Sequence, residues 1–207
     1  KYNIQRIDGL PENKVTPPES VYKRIKEENG RIGKARAINS DLTFFTQQFI
    51  MPVKGIISGV YGSQRILNGK AKSPHRGIDI AADEGTPVMS CNEGIVIHAE
   101  SDLYYTGGTI IIDHGHGVKS IYAHLSSVNV AVNQKVSKKD IIGKVGSTGR
   151  STGPHLHYEV IVNGKKVNSQ KLKLPSGKIL KGDERKLFET KKIKLDVLKS
   201  EKILGMN

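Results

Sequence analysis

From Phe49 onward the chain alternates short apolar runs with glycine-rich turns, as in Gly55-Ile56-Ile57-Ser58-Gly59-Val60-Tyr61-Gly62 and Asp140-Ile141-Ile142-Gly143-Lys144-Val145-Gly146. Short β-branched runs bounded by glycine predict strands, so this stretch reads as an all-β antiparallel domain. Thr109–Ile112 and Val118–Tyr122 are two such strands, and the glycines in Asp113-His114-Gly115-His116-Gly117 predict a hairpin between them. Helical patterns flank the β region. Thr16-Pro17-Pro18-Glu19 combines a capping threonine, a first-turn proline and a glutamate able to bond back, predicting a helix to about Ile38. Its apolar stripe of Val21, Ile25, Ile32 and Ala35 is thin and needs a partner surface, which the β domain can provide. A second helix is predicted from Asp183 to about Leu204, with Leu187, Phe188, Leu195, Leu198 and Leu204 as its apolar residues. The expected organisation is an N-terminal linker and helix over 1–48, a β domain over 49–169 and a helical extension over 170–207.

At 207 residues the chain can bury one domain with appendages. No apolar run approaches the roughly 18 residues of a membrane helix, so the chain as given is expected to be soluble. Lys1 in place of methionine, without a signal peptide, is expected of a mature or truncated fragment. Cys91 is the sole cysteine, which excludes an internal disulfide; its strand-end setting predicts a buried, unreactive thiol. The net charge of +13 is uneven: residues 1–48 carry +3, 49–164 carry +2 and 165–207 carry +8. Such a lysine-rich tail can hold a protein near an anionic envelope or membrane surface, or merely solvate a helix face. Aromatic interleaving of the kind that binds single-stranded nucleic acid is missing, so no nucleic-acid partner is expected.

The chemistry-bearing residues are spread over distant segments: His75-Arg-Gly-Ile-Asp79, Tyr122-Ala-His124-Leu and His155-Leu-His157. They supply imidazole nitrogens and a carboxylate for a catalytic zinc site, with histidines to spare for proton transfer. Residues two apart on a strand share a face, so His155 and His157 can enter one cleft if that segment is extended. Pro154 before it and Tyr158-Glu159-Val160-Ile161-Val162 after it favour a strand. Four residues of straight strand would instead separate His75 and Asp79 by about 13 Å. Ligands of one zinc need donors some 3 to 3.5 Å apart, roughly, so a tight bend at Gly77 is inferred. A lone histidine is more often a surface or core residue than a ligand; the five together reverse those odds. His114 and His116 are read as hairpin residues, His98 as structural, and Tyr104 and Tyr105 as candidate walls of a substrate groove.

These segments resemble the LytM-type (lysostaphin-like, M23) zinc metallopeptidases that cut peptide cross-links in bacterial peptidoglycan. The resemblance lies in His-x-Gly-x-Asp at 75–79, Tyr-x-His-Leu at 122–125 and Gly-x-Ser-Thr-Gly-x-Ser-Thr-Gly-Pro-His-Leu-His-Tyr-Glu at 146–159, in the family's order. It covers roughly residues 50 to 165. It implies a mainly β, antiparallel LytM-type catalytic domain with a duplicated hybrid motif, here carrying N- and C-terminal helical appendages. By residue-to-residue resemblance His75, Asp79 and His157 are zinc ligands, one ion per chain, while His124 and His155 handle protons and the developing oxyanion. Which of those two is the base stays open. The resemblance further implies a peptidoglycan substrate and an exported protein of the periplasm or envelope of a Gram-negative bacterium. The N-terminal segment also resembles stretches that precede the peptidase domain in Gram-negative members, where they cover or shape the cleft. Autoinhibition is therefore one expectation, with Asn39 or Asp41 as possible oxygen donors and greater activity after truncation near Phe49. Two other readings are a non-catalytic LytM-type module that binds peptidoglycan or activates an amidase, and a D-Ala-D-Ala carboxypeptidase. The segments Gln64 to Ser73 and Glu100 to Gly108 read as loops without a side-chain code.

Overall fold

Alternation along the central strands decides what each face of the molecule covers. β8 (Gly107–Gly115) and β9 (Val118–Val128) form an antiparallel hairpin whose turn residues, His116 at φ 47 and Gly117 at φ 76, are both left-handed. That geometry matches the twist of the paired strands, which explains the His-Gly sequence there. The computed structural model describes residues 3–174 and 182–203. Outward from the hairpin, β7 (Gly94–Leu103) pairs with β8, and β10 (Lys135–Val136) with β7. On the other side β12 (His155–Val162) pairs with β9, β5 (Ile78–Ala81) with β12, and β2 (Ile56–Gly59) with β5. β11 (Ile141–Val145) joins β9 to β6 (Pro87–Met89), and β13 (Lys165–Val167) extends β12, completing a ten-stranded antiparallel sheet.

All nine residues of β8 are buried, because both of its faces are covered. Ile110 and Ile112 point into the main core with Ile78, Ile80, Tyr122, Leu125, Leu156 and Val160. Ile111, Ile121 and Ile161 point the other way and pack with Ile32 and Ala35 of α2 (Tyr22–Ala37). The thin stripe on that helix thus finds its partner on the back of the sheet. Arg31 reinforces the docking through two hydrogen bonds to Glu100, at 2.8 and 2.7 Å. Buried Glu28 accepts from Arg24 Nε at 2.6 Å and from the Tyr104 backbone N–H at 2.8 Å.

The helix start differs from the sequence expectation. A 3-10 turn at Glu19–Val21 precedes α2, and no side chain caps it. Thr16 instead contacts Lys70 Nζ at 2.7 Å, so its hydroxyl serves a long-range contact. The segment Gln64 to Ser73 is not a plain loop: β3 (Gln64–Leu67) and β4 (Lys70–Ala71) form a hairpin, and β1 (Ile4–Ile7) pairs with β3 in parallel. Leu10 and Val15, the latter on α1 (Glu12–Val15), pack with Leu67 to seal this small sheet. Glu100 to Leu103 likewise belongs to β7 rather than a loop.

Cys91 is fully buried, with its sulfur 3.7 Å from His114 Nε2. The described residues fall into two units divided after Pro175. The second unit contains α3 (Gly182–Ile203), close to the predicted helix; Leu204 lies outside the described residues. Among the described residues no helix is long and apolar enough to cross a membrane.

Candidate metal centre

The register of β12 against β5 sets His157 opposite Asp79. His75 precedes β5, and the backbone bends at Gly77 as the short ligand spacing requires. Gly77 is there because β12 passes too close for any side chain: a Cβ would sit 2.6 Å from the Tyr158 carbonyl oxygen and 2.9 Å from His157 Cε1. His75 Nε2, Asp79 Oδ1 and His157 Nδ1 consequently form a small triangle. Its edges are 3.0 Å between the histidines, 3.2 Å from His75 to Asp79 and 2.8 Å from His157 to Asp79. Among the described residues these three are the donors that gather as a metal-binding set.

The donor set fits zinc. Two imidazoles and one carboxylate leave a tetrahedral ion one open position, and the triangle is within a few tenths of an ångström of the edge length that bonds of about 2.0–2.2 Å demand. Each ligand is also held from behind. His75 Nδ1–H donates to the Val60 carbonyl at 3.1 Å, and His157 Nε2–H donates to Glu159 Oε1 at 2.9 Å. Those bonds fix the tautomers that would present Nε2 and Nδ1, respectively, to an ion. The second oxygen of Asp79 is engaged by the Arg65 guanidinium. Gly59 admits this pair, since a Cβ there would collide with Asp79 Oδ2.

Protonation follows from this crowding. Burial alone would lower His157, but its hydrogen bonds to Asp79 and Glu159 raise it to about 9, so without metal it is an imidazolium at neutral pH. Burial opposes ionisation of Asp79, yet bonds from His157 and His75 and the charge of Arg65 hold it far below the usual carboxylate range. Glu159 is brought down to about 2 against the effect of burial, chiefly by His157.

His124 and His155 stand beside the triangle with ring centroids 4.7 Å apart. His124 has φ 64, an uncommon conformation for a residue with a Cβ, and its Nδ1–H donates to the Thr148 carbonyl at 2.8 Å. Thr148 is anchored in turn: its hydroxyl donates to the Leu125 carbonyl at 2.8 Å and accepts from Gly108 N–H at 3.0 Å. His155 Nδ1–H donates to the Gly153 carbonyl at 2.9 Å, and its Nε2 lies 3.9 Å from Asp79 Oδ1. Burial lowers His124 to about 3, helped by the neighbouring imidazoles, and burial lowers His155 as well. Both are therefore neutral imidazoles at pH 7, and neither Nε2 has a hydrogen-bond partner among the described residues.

The profile of Peptidase family M23 matches residues 73–169, which contain all five positions. The catalytic domain of the prophage-encoded M23 protein EnpA from Enterococcus faecalis is 32% identical, with a TM-score of 0.51; the match covers 58% of this chain and 95% of that domain. This chain belongs to the M23 peptidase family. Among other relatives, the peptidoglycan DD-endopeptidase ShyA of Vibrio cholerae is 41% identical over 127 residues, covering 61% of this chain and 29% of ShyA. The chain thus spans less than a third of that relative's length. A zinc-containing peptidase from Vibrio cholerae matches with a TM-score of 0.57 and 35% identity, over 62% of this chain and 41% of the other.

Within this M23 domain the five histidine and aspartate positions meet as their spacing requires, and the decoys fall elsewhere. His114 is buried in the core, its Nδ1–H donating to the Glu93 carbonyl at 2.6 Å and its Nε2 accepting from Ser120 at 2.8 Å. His116 tips the hairpin, and His98 is buried 3.7 Å from Glu100 beneath α2. Tyr104 is buried with its hydroxyl on the Asn13 carbonyl at 2.6 Å, whereas Tyr105 faces the cleft. Asn39 and Asp41 flank Ser40, whose carbonyl accepts from His116 N–H at 2.8 Å at the hairpin; the gathered donor set does not include Asp41. Sequence reasoning missed Arg65 and Glu159. Glu159 had a readable signal, since it follows His157 by two residues on one strand face; Arg65 had none.

Proposed function

We propose that this chain is a zinc-dependent endopeptidase that hydrolyses peptide bonds in the stem or cross-link peptides of peptidoglycan. The carrying observation is the triangle of His75 Nε2, Asp79 Oδ1 and His157 Nδ1 with two neutral, tautomer-fixed histidines at its side. His75, Asp79 and His157 would hold the ion. Bound zinc supplies Lewis acidity and lowers the pKa of water toward about 7. His124 and His155 divide the proton work. With Nδ1–H tied to a carbonyl, each directs Nε2 into the cleft, where one accepts the proton of the attacking water and returns it to the leaving amine. The other takes up a solvent proton on Nε2 only as negative charge grows on the carbonyl oxygen, which offsets its lowered pKa, and then donates to the oxyanion. Arg65 and Glu159 act through the ligands, keeping Asp79 ionised and His157 oriented.

The remaining parts follow from the same reading. Residues 1–48 serve as an N-terminal cover, 49–169 as the peptidase domain and 170–207 as a basic extension suited to an anionic envelope surface. Gln5, Ile7 and Leu10 line one wall of a cavity of about 250 Å³ that ends at Asp79 and His155, which supports a cleft-shaping role for the cover. The envelope of a Gram-negative bacterium is the proposed location, in keeping with a peptidoglycan-cleaving relative from Vibrio cholerae. The test is to incubate zinc-loaded protein with purified cross-linked muropeptide dimers and follow products by mass spectrometry. The proposal expects monomers bearing new amines, loss of activity with a chelator and recovery with zinc. A chain that binds the dimers and releases no amine is a binding module instead, and release of terminal D-alanine alone identifies a carboxypeptidase.

A further inference from the structure

The loop between β11 and β12 does more than orient the two proton-handling histidines. Thr148 serves His124 and Gly153 serves His155, and between them Arg150 reaches into the cleft. Its backbone is pinned. Arg150 N–H donates to the Tyr105 carbonyl at 2.8 Å, and Gly149, at φ 73, packs so closely that a Cβ would come within 2.5 Å of Gly107 N. The guanidinium lies over the Tyr105 ring, its Cζ 4.6 Å from the ring centroid, a contact that favours a cation there.

Arg150 is half-buried, yet among the described residues no carboxylate pairs with it, and a second cation, Arg65, lines both cavities that it borders. Arg65 is already committed to Asp79. The cavity that Arg150 shares with His75, His124 and His157, about 520 Å³, is also lined by Arg76 and Lys166, and its one acidic residue, Glu159, is paired with Lys166 at 2.7 Å. Arg150 borders the cavity at Asp79 and His155 as well. A half-buried guanidinium stacked on Tyr105, with no carboxylate partner among the described residues and lining a cation-rich cleft beside His124 and His157, suits an anion, and its fork matches a planar carboxylate.

We propose that Arg150 forms a carboxylate-binding subsite that selects peptides carrying a free carboxylate beside the bond to be cut. This rests on the endopeptidase reading and specifies the substrate class: acidic rather than amidated peptide cross-links. Arg150 is then a specificity residue, whereas a merely structural arginine would only pack against Tyr105.

The test uses the zinc-loaded full chain and two probes, a cross-linked peptide dimer with free side-chain carboxylates and the same dimer with those carboxylates amidated. Both kcat/KM and equilibrium binding are measured for wild type, Arg150→Gln and Arg150→Lys. The expected result is a wild-type preference for the acidic dimer of roughly 10- to 100-fold, the worth of a charge-assisted bidentate hydrogen bond. Arg150→Gln should abolish that preference by losing far more on the acidic dimer than on the amidated one, and Arg150→Lys should keep part of it. Equal wild-type handling of both dimers, or a Gln variant impaired equally on both, overturns the subsite. If neither dimer is cleaved, the endopeptidase reading fails, and the binding preference alone decides the subsite by the same two outcomes.

Discussion

At the scale of single residues, the proposed site separates ligands from proton carriers, and the two classes should fail differently. Replacing His75, Asp79 or His157 with alanine should abolish zinc binding and lower the thermal midpoint of the zinc-loaded protein, because ligand binding adds to folding free energy. Replacing His124 or His155 should leave metal content intact while slowing turnover by about 10² to 10⁴. Metal analysis and kinetics on the five variants check this, and equal metal loss in all five would contradict the division. A pH effect follows from His157. Its pKa is raised above the ordinary value, so its proton stabilises the metal-free fold below about pH 6.5, and that contribution is lost as pH rises through about 9. The ion needs the same nitrogen without its proton, so zinc affinity should fall as pH drops below 9. Titration calorimetry at pH 8 in buffers of different ionisation enthalpy should show about two protons released per zinc, one from His157 and one from the bound water. Asp79 contributes none, since it is already ionised. The residue types and spacing in the sequence were enough to single out these five positions, but the raised His157 was not readable, because it depends on Glu159 and Asp79 converging on one ring.

At the scale of elements, two close approaches decide whether the site forms. β12 crosses the bend before β5 with no room for a Cβ at residue 77, so Gly77→Ala should push His157 away from His75 and Asp79. Zinc affinity should drop by at least about tenfold while the fold persists, measurable by competition with a chromogenic chelator. The bend itself was legible, as ligand distances and straight-strand geometry are incompatible over four residues. The β3–β4 hairpin that carries Arg65 was not. Gln64 to Ser73 has no apolar alternation, and β3 is held by a parallel pairing with β1, some sixty positions earlier, which local pattern cannot reveal. Thr16 failed as a cap for a related reason: a tertiary contact to Lys70 took its hydroxyl.

At the scale of the whole molecule, the N-terminal segment is integral to the first unit. α2 covers Ile111, Ile121 and Ile161, each worth about 1.5–3 kcal/mol when buried, and β1 supports the strand that positions Arg65. A chain beginning at Phe49 should therefore have a lower thermal midpoint and bind zinc less tightly, as calorimetry and metal titration would show. Any gain in cleft access on truncation must be judged against the folded fraction. The mainly β architecture was legible because isoleucine runs and glycine turns have few alternatives. The double coverage of β8 was not legible: Thr109 to Ile112 marked a strand, and the thin helix stripe asked for the β domain as its partner without saying which strands it would cover. All of this converges on one ion in one place. Crystals of the chain grown with zinc and measured on both sides of the zinc absorption edge test that directly. The account predicts a single anomalous peak bounded by His75 Nε2, Asp79 Oδ1 and His157 Nδ1, with His124 and His155 beside it; a peak held by other residues, or none, would contradict it.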